Sequence, residues 1–349
     1  IQTRDMSITV KDLARMTGLS KGTVDRVLHN RGEVSRKSYE KVMKAVKESG
    51  YEPNIYASLL AKGSKGTIVV LMPRSISGEF WELSEPGFTR GAEAAGNFGL
   101  EVRKLEYDQY DIEAFRAACD EALALNPAGI ILPPMFKNET FGFAGKLQEK
   151  GIPFIFIDSK IECGGYFAYY GMPAYQSGYL CASLLTDDQN VKAIGMVRIL
   201  RDKHGQSDPT VNRREGFLDY LSEHFPDCKQ ATAFIDPSHP QGIDATLDAF
   251  FAENPDISHI AMFNSRIHLI APWLEKHPQR RFRVVGFDNL AANVAALKRG
   301  TVTALITQHP DEQLASAINS FVNLLVFGRE PEVRDNFMHM DILTRYNAD

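Results

Sequence analysis

With 349 residues, 44% of them hydrophobic, and a net charge of −5, the chain is too long for one small domain and apolar enough for a sizeable core. Its four cysteines, Cys119, Cys163, Cys181 and Cys228, are widely spaced with no C-x-x-C pair. That spacing argues against a cysteine-based zinc site or a disulfide framework and for a reducing compartment. No stretch reaches the apolar length of a membrane span, and the opening IQTRDMSITV lacks a signal peptide's apolar region, so a cytoplasmic protein is expected.

The first elements are helical. Thr9 can cap a helix whose periodic apolar residues are Val10, Leu13 and Ala14, and Gly18 supplies a tight turn before Leu19. Ser20 then caps a second helix, in which Val24, Val27 and Leu28 form one stripe while Lys21, Gly22, Asp25, Arg26 and His29 form the other. Two short helices joined by a glycine turn, with the small Ala14 at their crossing, predict a helix-turn-helix. A third helix, capped by Ser35, carries Tyr39, Val42, Met43 and Val46 as its expected buried stripe and stops at Gly50. In the next stretch, Asn54 can cap a short helix through Leu60, marginal in isolation, before the Gly63, Ser64, Gly66 joint.

Charge follows this organisation. Residues 1–66 carry a net +6 and the remainder −11. An electropositive head on an acidic body suits a nucleic-acid contact module attached to a domain that should not itself bind DNA.

From Thr67 the pattern changes to short β-branched runs: TIVVLMP, LEVRKLEY, AGIILPP, IPFIFID, KAIGMVRI, QATAFID, SHIAMFN, FRVVGFD and VTALITQ. Helix-length amphipathic stretches separate them, which predicts an α/β body with mainly parallel sheets. An interruption near GMPAYQSGYL divides the pattern into two similar lobes. In open α/β sheets a ligand sits beyond the carboxyl ends of strands, and those ends carry Asp158, Asn264, Asp288 and Gln308.

The run ITVKDLARMTGLSKGTVDRVLHN, the VSRKSYEKVMKAVKESGYEPN after it and the α/β body together resemble a transcription regulator of the lactose-repressor (LacI/GalR) family across essentially the whole chain. The resemblance implies a helix-turn-helix domain (1–52), a hinge helix and linker (53–66), and a two-lobed effector-binding and dimerisation body (67–349) like periplasmic binding proteins. It further implies a homodimer on a palindromic double-stranded DNA operator, with no cofactor, metal or membrane partner. By this resemblance Lys21 and Gly22 read bases, Ser20, Thr23, Arg26 and Asn30 contact phosphates or base edges, and Thr9 and His29 complete the DNA-facing set. Asn54, Ala57 and Leu60 match hinge-helix positions, Leu60 as an apolar wedge in the minor groove. Asp25 and Leu59 depart from the family pattern, Asp25 standing where serine is usual.

The body resembles the ribose-binding branch most closely. Phe80 and Trp81 correspond to an aromatic pair flanking a sugar ring, with ordinary core packing as the alternative. Asp158, Arg213 of the R-x-x-G-F-like segment, Asn264, Asp288 and Gln308 are all hydroxyl-pairing types. Ser265 and Arg266 after Asn264, and Tyr170–Gly171, depart from the branch, so ribose itself is not implied. The implied effector is a small saccharide; the alternative is a purine or other corepressor that promotes DNA binding. No HExxH or Walker glycine loop is present, the G-x-S-x-G match GLSKG at 18–22 follows no strand and forms the turn and cap of the second helix, and an Asp158/Asp288 glycosidase pair would leave the head unexplained, so an enzyme is not expected.

Overall fold

The computed structural model describes residues 10–28, 34–49, 66–187, 191–199 and 208–348. The chain divides between Gly63 and Ser64 into two compact units.

The first unit holds α1 (Val10–Thr17), α2 (Lys21–Leu28) and α3 (Arg36–Ser49). Gly18, at φ +64°, turns the chain between α1 and α2, a left-handed conformation that glycine adopts without steric cost. Leu13, Val24, Val27, Val42 and Ala45 form the core, with Ala14, Leu19, Leu28, Val34 and Val46 packed around it. The stripe expected on α3 is rotated. Tyr39 and Met43 are exposed, and Ala45 is buried in their place. Two eight-residue helices cannot cover a wide face of α3, so only the narrow Val42–Ala45–Val46 strip is enclosed. The helix expected from Asn54 through Leu60 lies outside the described residues, as do Thr9, His29 and Asn30.

The second unit has two lobes. The first lobe's sheet is built from β1 (Thr67–Pro73), β2 (Glu101–Tyr107), β3 (Gly129–Leu132), β4 (Phe154–Asp158), β5 (Ala168–Gly171) and a late strand, β11 (Asp335–Phe337). All are parallel, in the order β11-β5-β4-β3-β1-β2. The second contains β6 (Ala193–Ile199), β7 (Lys229–Ile235), β8 (Ile257–Ala261), β9 (Arg283–Phe287), β10 (Ala304–Thr307) and β12 (Asp341–Leu343), in the order β12-β10-β9-β8-β6-β7. Only β12 runs antiparallel. All nine expected strands form. β5, β11 and β12 were not expected from their sequences.

Helices cover both faces of each sheet: α4 (Glu85–Gly96), α5 (Ile112–Ala124) and α6 (Lys137–Glu149) in the first lobe, and α7 (Ala174–Thr186), α8 (Asp208–His224), α9 (Ile243–Glu253), α10 (Ala271–Lys276) and α11 (Ala291–Lys298) in the second. The last helix, α12 (Pro310–Phe327), returns to pack on α4 and the first sheet. Each sheet therefore separates two apolar layers, and central strands such as β1, β3 and β9 are buried almost continuously. The chain passes between lobes three times: after β5, after β10 and after β11.

In the second lobe, α7 and α8 meet backbone to backbone. A methyl group on Gly178 would lie 1.7 Å from the Arg213 carbonyl oxygen, and one on Gly216 would lie 2.0 Å from that of Tyr175. This contact fixes the helix from which Arg213 projects. Gly178→Ala is therefore expected to force the helices apart and cost about 1–3 kcal/mol of stability, as overpacking does. Chemical denaturation of the full chain checks this, and an unchanged unfolding midpoint would contradict it.

Candidate functional site

The surface of α2 is set by its cap. The Thr23 amide donates to Ser20 Oγ at 3.1 Å, and the two hydroxyls lie 2.9 Å apart, so Ser20 and Thr23 organise the start of the helix. Lys21, Gly22 and Arg26 are exposed on the face opposite the core, and Arg26 Nε donates to the Gly22 carbonyl at 3.2 Å. Among the described residues, only Ser20 Oγ, at 3.9 Å, approaches the position of a Gly22 side chain. This face is free for a groove, and its basic groups suit phosphate and base edges.

In the body, the polar strand ends converge. Asp158 and Asp288 directly end β4 and β9, and both hold left-handed backbones, at φ +63° and +66°. Such conformations are uncommon outside glycine and turn the carboxylates out of the strand direction. The Asp288 turn is held by Asn293, whose Nδ2 donates to the carbonyls of Ser265, Phe287 and Asp288. Asp288 is only 1% exposed. Its carboxylate accepts from Ser265 Oγ at 2.6 Å and from Gln308 Nε2 at 3.1 Å. Burial pushes this carboxyl above its ordinary range, opposed by the Arg213 charge and the two hydrogen bonds.

Arg213 is buried as well. One terminal nitrogen donates to the Phe263 carbonyl at 2.8 Å, and the guanidinium lies 4.3 Å from the centre of the Phe287 ring. Its Nε is shut off from solvent with no hydrogen-bond partner. A buried donor left open in this way is costly, and a ligand oxygen would satisfy it. The charge of Arg213 reaches the first lobe: burial and the Asp158 carboxylate raise the Tyr169 phenol's pKa, and Arg213 opposes them.

Two contacts join the lobes at this level. Gln313, on α12, accepts from the Asp158 amide at 2.9 Å and donates to the Gln308 carbonyl at 2.8 Å. Arg266 reaches from the second lobe to Glu79 and, at 3.3 Å, to Tyr110 Oη in the first.

The aromatic pair divides between the two readings given for it. Phe80 and Trp81 meet edge-on, 5.0 Å between centroids with planes at 73°, but Trp81 is 4% exposed and belongs to the first lobe's core. In the tight helical turn of Phe80–Ser84, successive side chains diverge, so one ring goes inward and Phe80 alone keeps accessible surface. Asn264 Oδ1 accepts from the Arg266 amide at 3.0 Å and so shapes the loop that presents Arg266. Gln308 is buried against Asp288. Sequence reasoning missed Gln313, Asn293, Glu79 and Tyr110, and it noted Ser265 and Arg266 only as departures.

Residues 68–330 match the periplasmic binding protein domain, and residues 9–54 match the bacterial regulatory proteins of the lacI family. A crystal structure from Bacteroides fragilis, described as a LacI transcriptional regulator, aligns with a TM-score of 0.77 and 32% identity over 81% of this chain and 98% of that one. The chain belongs to the LacI family of transcriptional regulators. Relatives of this LacI-family chain include the ribose operon repressor of Halalkalibacterium halodurans, 25% identical over 296 residues, 81% of this chain and 80% of that protein. The sucrose operon repressor of Pediococcus pentosaceus is 24% identical over 302 residues, 82% of this chain and 83% of that protein. As a member of the LacI family the chain is a DNA-binding transcriptional regulator. No helix among the described residues is long and apolar enough to cross a membrane.

The raised pKa of Asp288 has a definite sign for stability. The folded protein holds this proton more tightly than the unfolded chain does, so the group's contribution is lost as pH rises through its folded pKa. Asp288→Asn should therefore melt above the parent at pH 8 without ligand, the gap closing as pH falls through the carboxyl range. Calorimetry across that range checks this; a variant melting below the parent at pH 8 would contradict it.

Proposed function

We propose that this LacI-family regulator represses transcription as a cytoplasmic homodimer on a palindromic operator, and that a saccharide bound between the lobes of its body controls that binding. The observation that carries the effector reading is the buried Arg213 guanidinium of α8, with its Nε open, in the field of the buried Asp288 carboxylate at the end of β9. A carboxylate that accepts and a guanidinium that donates are the partners a hydroxyl-rich ligand needs. Gln308 and Asn264 supply further amides nearby, Asp158 a second carboxylate, and Phe80 an apolar surface for a ring. The sugar operons named for the ribose and sucrose repressors support a saccharide.

For the head, α2 enters the major groove with Lys21 and Gly22 at base edges and with Arg26, Ser20 and Thr23 toward the backbone. A two-fold dimer places its half-sites about one helical turn, or a multiple of it, apart.

A second reading of the effector's chemistry is favoured by Arg198, at the end of β6, and Arg214, beside Arg213 on α8. The Nε atoms of both are buried without hydrogen-bond partners. Burial and the neighbouring Arg214 charge both push the Arg198 pKa down. Two neighbouring guanidinium groups whose Nε atoms are open among the described residues suit a phosphate or carboxylate, hence a sugar phosphate or sugar acid.

A thermal-shift panel of neutral monosaccharides, sugar phosphates, sugar acids and purines separates these readings, because a tight ligand raises stability by mass action. Stabilisation by purines alone would remove the saccharide. With the stabilising compound in hand, Arg213→Ala is expected to weaken its binding about tenfold to hundredfold while leaving ligand-free operator affinity at the parent level. Titration calorimetry and gel shift measure the two quantities, and parent-like effector affinity would exclude Arg213 as a contact. In the head, Lys21→Ala should relax base preference at one position of each half-site, losing about 1–3 kcal/mol of discrimination. Selection from random duplexes reads this directly; an unchanged selected sequence would reject the base-reading role.

A further inference from the structure

The crossovers between the lobes hold a group of side chains that takes no part in the cleft. His309 follows Gln308 in the second crossover, its backbone at φ +52°, a strained conformation for histidine. His339 lies in the third crossover, its ring centroid 4.3 Å from that of His309 with the planes tilted by 36°. Glu312 projects from the first turn of α12. One potential ligand atom from each of His309, Glu312 and His339 lies within 4.8 Å of the other two.

Asp341, the first residue of β12, completes the surroundings. Its carboxylate is 3.0 Å from His309 Nε2 and 3.9 Å from His339 Nε2. His309 Nε2 is shut off from solvent and, despite the nearby carboxylate, makes no hydrogen bond. A buried ring nitrogen in contact with a carboxylate but outside hydrogen-bond geometry, beside a second imidazole and a second carboxylate, belongs to a donor set that a cation would bind.

We propose that His309, His339 and Glu312, with Asp341 beside the two histidines, form a site for a divalent first-row transition metal such as zinc, joining the second and third crossovers. The donor set decides the class. Two imidazoles with carboxylates suit zinc, nickel or copper, whereas magnesium and calcium take oxygen ligands alone. The geometry requires a modest contraction, since tetrahedral ligands at zinc bond lengths stand roughly 3.3 Å apart. Glu312 and His339 are exposed and can rotate inward, while the backbone strain at His309 fixes the buried corner of the site.

The position gives the metal a consequence. Any change in the angle between the lobes must bend the crossovers, and a bound ion would clamp two of the three. The clamp also touches the cleft. His309 adjoins Gln308, and the His309 carbonyl accepts from the amide of Gln313, whose side chain bridges to Asp158. A metal at this site therefore favours one lobe angle and shifts the affinity of the cleft for its ligand. This consequence rests on the proposed effector reading; metal binding itself does not.

The test uses the full chain, stripped with a chelator and titrated with zinc by calorimetry and with cobalt by visible absorption. The parent is expected to bind one zinc ion per chain and to develop the absorption of nitrogen- and oxygen-coordinated cobalt. His339→Ala and His309→Asn should each weaken zinc binding at least tenfold; asparagine is chosen because it tolerates the left-handed backbone. His277→Ala, which removes a histidine outside the group, should bind as the parent does. Absence of stoichiometric binding in the parent, or equal binding by the parent and the His309→Asn/His339→Ala double variant, would overturn the proposal. An effector affinity unchanged by zinc, with metal binding intact, would remove only the coupling to the cleft.

Discussion

The body of this protein is organised around a buried carboxylate. Asp288 stands at the end of a central strand, in a left-handed turn, almost without solvent, and the surrounding elements serve to hold it there. Asn293 secures the turn with three donated hydrogen bonds, Ser265 and Gln308 donate to the carboxylate, and Arg213 supplies the opposing charge. Arg213 in turn depends on two glycines that let α7 and α8 touch, so a packing constraint far from the strand end sets the position of a charge. Burial of such groups costs stability unless each is paired, and the open Nε of Arg213 shows where the pairing is incomplete. On the proposed reading, the effector completes it.

The lobes are joined by more than the three crossovers. Gln313 bridges Gln308 and Asp158, and Arg266 meets Glu79 and Tyr110 from across the cleft. A ligand shifts such an arrangement only by binding its alternatives unequally. A molecule that engages Arg213 and Asp288 in one lobe and Phe80 in the other has that property, since its contacts depend on the angle between them. The Arg266 contacts favour the same approach of the lobes, so they compete or cooperate with a ligand according to the angle it prefers.

Much of this was legible in the sequence, for identifiable reasons. Parallel strands covered on both faces are continuous apolar runs, and each of the nine expected runs became a strand. The polar residues ending them were visible because Asp, Asn and Gln after such a run stand out. The short strands β5, β11 and β12 were not, because AYYG, DNF and DIL carry no pattern of their own and pair only once the rest of the sheet exists. Trp81 beside Phe80 reads equally well as ligand platform or core, and the turn in which they sit decides between them. Tyr39 and Met43 looked buried because helical spacing fixes a stripe's period but neither its exact direction nor its width. The contacts joining the lobes were illegible: Gln313 lies 155 residues from Asp158 and Arg266 lies 187 from Glu79, separations at which no local pattern survives.

On the proposed reading, one buried polar centre both receives the effector and senses the angle between the lobes. The most direct measurement is a crystal structure of the protein bound to whichever small molecule stabilises it. Ligand oxygens are expected within hydrogen-bonding distance of Arg213 Nε and the Asp288 carboxylate, with the Phe80 ring against the ligand's opposite side. A ligand seated elsewhere, with Arg213 Nε still open and Asp288 still bonded only to Ser265 and Gln308, would contradict that reading.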